Sequence, residues 1–360
     1  MKISNNEELI QYIESLIETN YLNMSLSDMF TEVIGNRSVT NKKEIDLLKN
    51  RFNEASNVLV ANKCFEYWEL DDENEDDEEI YKSRILPSFK EIDISKYKNN
   101  PYYKNINIKN VKQGDYSLVN DHYSPYEIFA YKDMSVSSNY EENNSLSFFE
   151  EEFNFPAINY KDVTWMSITP NEIETMEKAV NEASGKVVVY GLGLGYFPYM
   201  ISLKEDVKEI TIVEIDENII KLFKEHILPQ FKSKEKIKII NEDAFKYMQE
   251  SHSFDYSFID LWHDPLDGIE LFLKCKKSEK TNRKYFYWLE SSFYILLRRC
   301  FISLLEEQLA NTPESAYQKS KSVTDTIINK YFEKTKNLVL KDISQVQDLL
   351  SDSSLLNLIL

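Results

Sequence analysis

Residues 186–195 constrain the fold of this chain more than any other stretch. They join the β-branched run Val187, Val188 and Val189 to a loop with glycine at every second position. Such a run packs well in a strand covered on both faces, and glycines let the backbone turn sharply and approach a ligand closely. The chain has only 7 glycines, and three of them are in this loop. A buried strand followed by a ligand-facing loop is therefore predicted.

The residues around this stretch predict a regular alternation of helices and strands. A helix begins at Thr169 and Pro170, where Glu172 completes a capping-box pattern, and ends near Gly185. Just before it, residues 165–167 are placed over the glycine loop. The later helices are predicted at residues 196–203, 217–228 and 244–249, and the strands at 210–215, 237–240 and 256–261. Strands separated by helices predict right-handed crossovers and a doubly wound parallel sheet with helices on both faces.

The rest of the chain is divided by composition. Residues 1–95 predict a mainly helical N-terminal extension, with helix starts at Ser4 and Thr40 and a charged loop at residues 71–79 acting as an acidic linker. Residues 96–160 predict a small mixed or β segment. Residues 161–360 predict the α/β domain with a helical C-terminal part. Within it, residues 285–289 predict a fifth strand or a helix start, 323–332 a helix, and 338–340 one more strand.

The net charge restricts the kinds of partner that the chain is expected to bind. The net charge of −19 argues against binding to nucleic acid or to an anionic membrane surface, because both need a positive footprint. The lysine-rich residues 274–284 are the local exception, and a solvated face is favoured there over contact with an anionic substrate or RNA. A small-molecule substrate such as an amine is the predicted partner, and a homo-oligomer is compatible with the sequence.

The location is predicted to be cytoplasmic, with no membrane association. The first residues lack the apolar stretch of a signal peptide, and no apolar run approaches the ~18 residues of a membrane span. Cys64, Cys275 and Cys300 are few and widely separated, which favours reduced thiols over a disulfide framework.

Acidic side chains follow three of the predicted strands. Glu214 ends the second strand, Asp243 follows the third, and Asp260 ends the fourth. In such sheets ligands bind beyond the carboxyl ends of the strands, and a carboxylate about 20 residues after a glycine loop is well placed to bind ribose hydroxyls. Glu214 meets this spacing. Asp243 is a candidate acceptor for an adenine amino group, with a backbone amide near Ala244 at the ring edge.

The glycine loop differs from a dinucleotide-binding loop. The nicotinamide fingerprint is Gly-x-Gly-x-x-Gly, whereas Tyr196 occupies the position of the third glycine here. The bulky Tyr196, Phe197 and Pro198 make close approach of a pyrophosphate harder. These residues favour a ligand other than a dinucleotide.

Four motifs in order carry a resemblance to a known superfamily. They are Val-Tyr-Gly-Leu-Gly-Leu-Gly at residues 189–195, Val-Glu-Ile-Asp at 213–216, Glu-Asp-Ala-Phe at 242–245 and Phe-Ile-Asp-Leu-Trp-His-Asp-Pro at 258–265. Together they resemble the class I S-adenosylmethionine-dependent methyltransferases, and within these the spermidine-synthase-like branch. The resemblance implies a Rossmann-like methyltransferase sheet and S-adenosylmethionine as cofactor.

The resemblance also implies roles for individual residues. Gly191, Gly193 and Gly195 would face the methionine moiety of the cofactor. Glu214 would hold the ribose, Asp243 the adenine, and Asp260 the border between cofactor and substrate. Spermidine synthases carry an Asp-Ser-Ser-Asp-like sequence after the fourth strand, whereas this chain has the longer and bulkier residues 260–264. Methyl transfer is therefore the main prediction.

Three residues are candidates for catalysis. Methyl transfer from a sulfonium needs in-line alignment and, for a protonated nucleophile, a base. Asp260 and Asp264 are the candidates for binding a substrate amine or hydroxyl, and His263 is the candidate base. The structural alternative is that a strand-end aspartate caps the next turn and that His263 bonds nearby backbone. The spacing of these residues matches no metal-binding motif, so no metal site is predicted.

Two further functions stay open beside methyl transfer. The first is aminopropyl transfer from the decarboxylated cofactor, suggested by Asp260, Asp264 and the negative charge of the chain. The second is a non-catalytic cofactor-binding or scaffold protein, suggested by the bulky Leu261 and Trp262 beside the expected reaction centre.

Overall fold

The computed structural model describes residues 1–250, 252–310 and 322–360. Strands and helices are numbered along the chain within these residues. The strands are β1 (Lys2–Ile3), β2 (Phe89–Glu91), β3 (Val111–Gln113), β4 (Tyr116–Tyr123), β5 (Phe129–Ala130), β6 (Ser135–Val136), β7 (Glu142–Asn143), β8 (Leu146–Phe148), β9 (Phe153–Tyr160), β10 (Val163–Ser167), β11 (Gly185–Tyr190), β12 (Val207–Glu214), β13 (Ile237–Asn241), β14 (Tyr256–Ile259), β15 (Lys284–Tyr287) and β16 (Val339–Leu340). The α-helices are α1 (Glu7–Val33), α2 (Lys42–Phe52), α3 (Ser56–Tyr67), α4 (Glu75–Ile80), α5 (Ile94–Lys98), α6 (Pro101–Asn105), α7 (Pro170–Glu182), α8 (Tyr196–Ser202), α9 (Glu217–Leu222), α10 (Ala244–Gln249), α11 (Pro265–Ser278), α12 (Glu290–Leu309), α13 (Val323–Thr335), α14 (Ile343–Leu349) and α15 (Asp352–Ile359).

The strand that precedes the glycine loop is the centre of a five-stranded parallel sheet. The sheet has the order β13-β12-β11-β14-β15. Val189 of β11 pairs with Ile212 of β12 on one side and with Phe258 of β14 on the other. The chain builds the sheet outward from β11 in one direction and then in the other, so the strand order reverses between β11 and β14. The predicted doubly wound α/β fold is confirmed.

Aromatic contacts show that helices cover both faces of this sheet. The ring of Phe197 in α8 stacks on that of Phe258 in β14, with centroids 4.0 Å apart. The ring of Tyr190 in β11 meets that of Tyr247 in α10 at 6.2 Å. Side chains alternate between faces along a strand, and Phe258 is level with Val189, the neighbour of Tyr190. The two contacts therefore lie on opposite faces, and the sheet is buried between helices.

The N-terminal part has its own architecture. The helices α1 to α3 confirm the predicted helical extension, and an antiparallel sheet of order β10-β9-β4-β3 follows it. The end of α1 packs with α3 and β2 around a separate apolar cluster that includes Phe30, Val60 and Phe89. Ile3 of β1 pairs with Leu340 of β16, which ties the first residues to the C-terminal part. The domain boundaries at 95 and 160 stay a prediction.

At three helices the capping interactions in the structure differ from those predicted from the sequence. Ser4 is held by the pairing of β1, its amide donating to the Leu340 carbonyl at 2.9 Å, so Asn6 caps α1 instead. Helix α2 is capped by Asn41, not by Thr40. Thr169 stands at the N-cap of α7 but its side chain makes no capping hydrogen bond. The predicted capping box with Glu172 is therefore wrong, which leaves the Glu172 carboxylate available to the cleft described below.

Two other predictions are corrected. The acidic residues 71–79 are not a loop throughout, because α4 begins at Glu75 and its cap Asn74 accepts hydrogen bonds from two amides. Acidic side chains suit the first turn of a helix, where they face the positive end of the helix dipole. The strand predicted at 338–340 exists as β16, but it pairs with β1 outside the main sheet. The fifth strand of the main sheet is β15, paired with β14.

All three cysteines are buried and free of disulfides. Burial raises the pKa of the Cys275 thiol to about 12, so this thiol stays protonated and unreactive at neutral pH. No helix in the described residues has both the length and the apolar character needed to cross a membrane.

Candidate active site

A cleft of about 550 Å³ lies at the carboxyl ends of β11, β12 and β14, where the strand order reverses. Its walls come from the loop after each strand, from the first turns of α7 and from the strand β10. The lining residues that bear on function are Trp165, Met166, Glu172, Gly191, Gly193, Gly195, Glu214, Ile215, Asp216, Asp260, Leu261, Trp262, His263 and Trp288. This is the position where doubly wound sheets bind their ligands.

The three glycines of the loop have different surroundings. Gly191 has φ of 92°, and a Cβ added to it would lie far closer than 3.0 Å to the carbonyl oxygen of Asp260. A Cβ at Gly195 would collide with the ring of Phe223. Only Gly193 has room, where an added Cβ would lie 3.6 Å from Sδ of Met166. The protein's own packing therefore explains two glycines, and Met166 lies over the loop as predicted.

Glu214 is held in place by two backbone amides. The Leu192 amide donates to its Oε2 at 3.0 Å, and the Asp216 amide donates to its Oε1 at 2.8 Å. Each oxygen keeps a second lone pair, so the carboxylate can still accept two hydroxyl donors. The next side chain, Ile215, is 67% exposed and lines the cleft. Glu214 thus combines two free acceptor positions with an adjacent apolar surface, which fits a ribose carrying an aromatic base.

Asp260 is the acidic residue at the switch point itself. Its amide donates to the carbonyl of Tyr190 at 3.0 Å, which fixes the end of β14 against β11. Within the described residues its carboxylate has no hydrogen-bond or ion-pair partner. Burial and then the charge of Glu214 raise the pKa of Asp260 to about 7. A carboxyl with this proton affinity is suited to exchange a proton at neutral pH.

Glu172 is a cleft residue that the sequence analysis did not identify. It lies in the first turn of α7, and its carboxylate has no partner in the parts of the chain that the structure describes. Burial and then the charge of Asp260 raise the pKa of Glu172 well above its ordinary value. The sequence contained one usable signal, a carboxylate on the helix that leads into β11. The capping-box pattern with Thr169 gave this residue a structural explanation instead.

The family model for the spermine/spermidine synthase domain matches residues 176–279. The matched segment contains the glycine loop, Glu214 and Asp260. The α/β domain has a spermidine-synthase-like fold. The predicted resemblance to the class I methyltransferase superfamily and its spermidine-synthase-like branch is therefore confirmed. Glu172 lies four residues before the matched segment.

Three solved structures are similar to parts of this chain. A spermidine synthase from Thermotoga maritima is 13% identical over 48% of this chain and 69% of its own, with a TM-score of 0.29. A spermidine synthase in complex with the transition state analogue AdoDATO is 14% identical over 48% and 70%, with a TM-score of 0.31. A protein provisionally named an O-methyltransferase, from Klebsiella pneumoniae, is 15% identical over 29% and 47%, with a TM-score of 0.23. No curated protein matches the sequence.

The candidate base His263 lies at the mouth of the cleft in the spermidine-synthase-like domain. Its ring is exposed, its Nδ1 lies 3.0 Å from Oδ2 of Asp267, and it contacts the ring of Trp165 edge to face at 4.8 Å. Asp264 is exposed and caps α11, where it accepts from the amides of Leu266 and Asp267. It does not line the cleft. The structural alternative therefore describes Asp264 better than substrate binding does.

Asp243 and Ala244 lie next to the cleft without lining it. The Asp243 side chain caps α10 by accepting from the Lys246 amide at 2.9 Å, and Ala244 is buried in the helix start. The structure thus brings together the glycine loop, Glu214 and Asp260, but it leaves these two residues at the edge. Their contact with an adenine ring stays a prediction.

The indole of Trp262, the larger of the two bulky side chains after Asp260, packs into the core. The indole of Trp262 is largely buried, donates to the carbonyl of Trp288 at 3.1 Å and packs edge to face on Phe293 at 4.9 Å. Gly268 makes this possible, because a Cβ there would lie 2.6 Å from Cβ of Trp262. The core therefore accommodates the ring that had suggested a blocked reaction centre.

The cleft contains acids but no basic side chain other than His263. None of its lining residues is lysine or arginine, and the described residues contain no cluster of potential metal ligands. The lysine-rich residues 274–284 do not line the cleft, and two of the lysines are paired with acids. Lys276 contacts Glu290 at 2.7 Å and Lys284 contacts Glu182 at 2.9 Å. The electrostatics of the cleft favour a cationic ligand.

Proposed function

We propose that this protein transfers an aminopropyl group from decarboxylated S-adenosylmethionine to an amine. The observation that carries the proposal is the pair of unpartnered carboxylates, Glu172 and Asp260, in a cleft that lacks lysine and arginine. Both side chains are half-buried, and an ionised carboxylate that is partly removed from water is stabilised by a partner of opposite sign. A donor with a sulfonium and an ammonium, and without a carboxylate, supplies positive charge only.

The residues present fit the adenosyl part of such a donor. Glu214 would bind the ribose hydroxyls, and Ile215 offers an apolar surface to the base. The bound donor supplies an electrophilic carbon beside a sulfonium, whose C–S bond breaks toward sulfur as the acceptor nitrogen forms a C–N bond. Asp260 accepts one proton from the acceptor's ammonium, which frees the nitrogen lone pair. Trp165 and His263 lie at the mouth, on the side from which an acceptor enters.

Isothermal titration calorimetry tests the donor class. The wild-type protein is expected to bind decarboxylated S-adenosylmethionine at least tenfold more tightly than S-adenosylmethionine, which corresponds to about 1.4 kcal/mol. The reason is that the extra carboxylate of the intact donor enters a cleft that already holds unpaired acids. Equal affinity, or preference for the intact donor, contradicts the proposal.

Methyl transfer is the second candidate function. It is favoured by Gly193, which lines the cleft and whose amide finds no acceptor in the described residues. A free amide in a glycine loop is a suitable donor to the carboxylate of intact S-adenosylmethionine. Preference for the intact donor in the same titration supports this candidate.

Replacing Glu214 with glutamine is expected to weaken the binding of 5′-methylthioadenosine at least tenfold. The change removes the charge that strengthens hydrogen bonds from the ribose, worth about 1.5–3 kcal/mol. Glu217→Gln, on the exposed surface of α9, is the matched control and should bind like the wild type. Calorimetry measures both, with urea unfolding as a check on folding. Unchanged affinity in the Glu214 variant contradicts the ribose assignment.

Replacing Trp165 with alanine is expected to raise the KM for the acceptor about tenfold and to leave the affinity for 5′-methylthioadenosine nearly unchanged. Its ring is 40% exposed, so a substrate can bury the remainder, and burial of part of an aromatic ring is worth about 1–2 kcal/mol. Val163→Ala is the control, because Val163 lies on the same strand, is exposed and does not line the cleft. Equal effects of the two changes contradict the acceptor-side position.

A further inference from the structure

The carboxylates of the cleft differ in the hydrogen bonds that they accept. Glu214, the last residue of β12, accepts hydrogen bonds from two amides. Asp216, in the loop after it, accepts from the amide of Asn218 at 2.8 Å and from the hydroxyl of Tyr116. Asp260, from β14, and Glu172, from α7, accept nothing within the described residues. The sequence placed Glu172 in a helix cap, and the mechanism above does not use it.

No positive charge in the cleft compensates the two unpartnered carboxylates. The lining contains no lysine or arginine, and besides the acids its titratable groups are those of Tyr196 and His263. That imidazole is directed to Asp267 at the mouth of the cleft. Two carboxylates that line the same cleft without a cation cannot both stay ionised at low cost, so the pair retains a proton. Burial and then the charge of Asp260 raise the pKa of Glu172 well above its ordinary value, which supports Glu172 as the member of the pair that holds the proton.

We propose that Glu172 is a neutral carboxylic acid in the ligand-free protein and that it releases its proton when a cationic ligand binds beside Asp260. The inference rests on the proposed function for the identity of that ligand, a sulfonium that also carries an ammonium. Glu172 is then a specificity-determining residue: its O–H bond breaks, the proton passes to solvent, and the carboxylate that remains faces the incoming positive charge.

The proton balance distinguishes Glu172 from Asp260. At pH 8 Asp260 is already ionised, since burial and the charge of Glu214 raise its pKa only to about 7. A proton that the wild type releases on ligand binding at this pH, and that the Glu172→Gln variant does not release, is therefore assigned to Glu172. A neutral ligand of the same adenosyl type brings no positive charge that would stabilise an ionised Glu172. Its binding is therefore expected to release no proton.

Calorimetry at pH 8 in two buffers of different ionisation enthalpy measures the released proton. The wild type is expected to release about one proton with decarboxylated S-adenosylmethionine and none with the neutral 5′-methylthioadenosine. Glu172→Gln should lose the release. Glu177→Gln, exposed on the same helix, should keep it. Binding of the cation without proton release, or equal release from Glu172→Gln, overturns the inference while leaving the proposed function standing.

Infrared difference spectroscopy of the ligand-free protein gives a readout that does not depend on the donor. The wild type minus Glu172→Gln is expected to show the C=O band of an un-ionised carboxylic acid at pH 8. Absence of this band overturns the inference whatever the calorimetry shows. If neither adenosyl ligand binds the wild type, the proposed function fails and the role of Glu172 toward that ligand fails with it, even where the band is present.

Discussion

Replacing Gly191 with alanine is expected to destabilise the protein by roughly 4 kcal/mol or more, or to prevent folding. The residue has φ of 92°, a conformation that residues with a Cβ rarely adopt, and the new Cβ would overlap the carbonyl oxygen of Asp260. That oxygen belongs to backbone fixed by the bond from the Asp260 amide to Tyr190. Relief of the overlap would separate the ends of β11 and β14, the two strands at the switch point.

Gly114 is the matched control for this prediction. It also has positive φ, 61°, but a Cβ there meets nothing within 4 Å. Gly114→Ala therefore has only the backbone cost, about 1 kcal/mol. Urea unfolding of both variants measures the difference. Similar losses in the two variants would show that the contact with Asp260 is not what requires glycine in the loop.

Replacing Asp260 with asparagine is expected to lower the rate of transfer by about 10²- to 10⁴-fold, because it removes the group that accepts the acceptor's proton. The wild-type rate is expected to rise with pH through about 7, the pKa to which burial and the charge of Glu214 raise Asp260, and to level off above it. The variant should lose this dependence. Steady-state rates between pH 6 and 9 measure both effects.

The same change should not destabilise the fold. A carboxyl whose pKa is raised on folding binds more protons in the folded state, so its contribution to stability falls as the pH rises from about 4 to 7 and stays reduced above 7. Asparagine does not ionise, so the variant avoids this loss of stability. Its urea midpoint at pH 8 should therefore equal or exceed that of the wild type. Asp264→Asn is the control on the neighbouring cap: it should keep the rate. A rate within tenfold of wild type for Asp260→Asn would contradict the proton-accepting role.

The sequence predicted the sheet and the polar strand ends because both follow from local periodicity. Glu214 and Asp260 stand where parallel strands end, and the carboxyl ends of such strands meet at one edge. Asp264 also follows a strand, but the next helix begins immediately after it, and the capping of α11 takes up its carboxylate. An acidic residue after a strand therefore indicates a ligand site only where no helix begins directly after it and uses its carboxylate as a cap.

Glu172 and β16 are features that local sequence patterns could not predict. Glu172 fits a capping-box pattern, yet whether the box forms depends on how α7 packs against the cleft. The strand β16 pairs with β1 at the other end of the chain, and a two-residue strand carries no periodicity that could identify its partner. The sequence could not show the roles of the loop glycines either. The groups that an added Cβ would meet are distant along the chain, in Asp260 just after β14 and in Phe223 just after α9.

The most direct test of the central claim is identification of the products. The purified protein is incubated with decarboxylated S-adenosylmethionine or S-adenosylmethionine and a panel of primary amines, and the mixtures are resolved by mass spectrometry. We predict 5′-methylthioadenosine together with an amine heavier by one aminopropyl group, formed from the decarboxylated donor only. Methylated amine and S-adenosylhomocysteine from the intact donor, with no reaction of the decarboxylated one, would contradict the account.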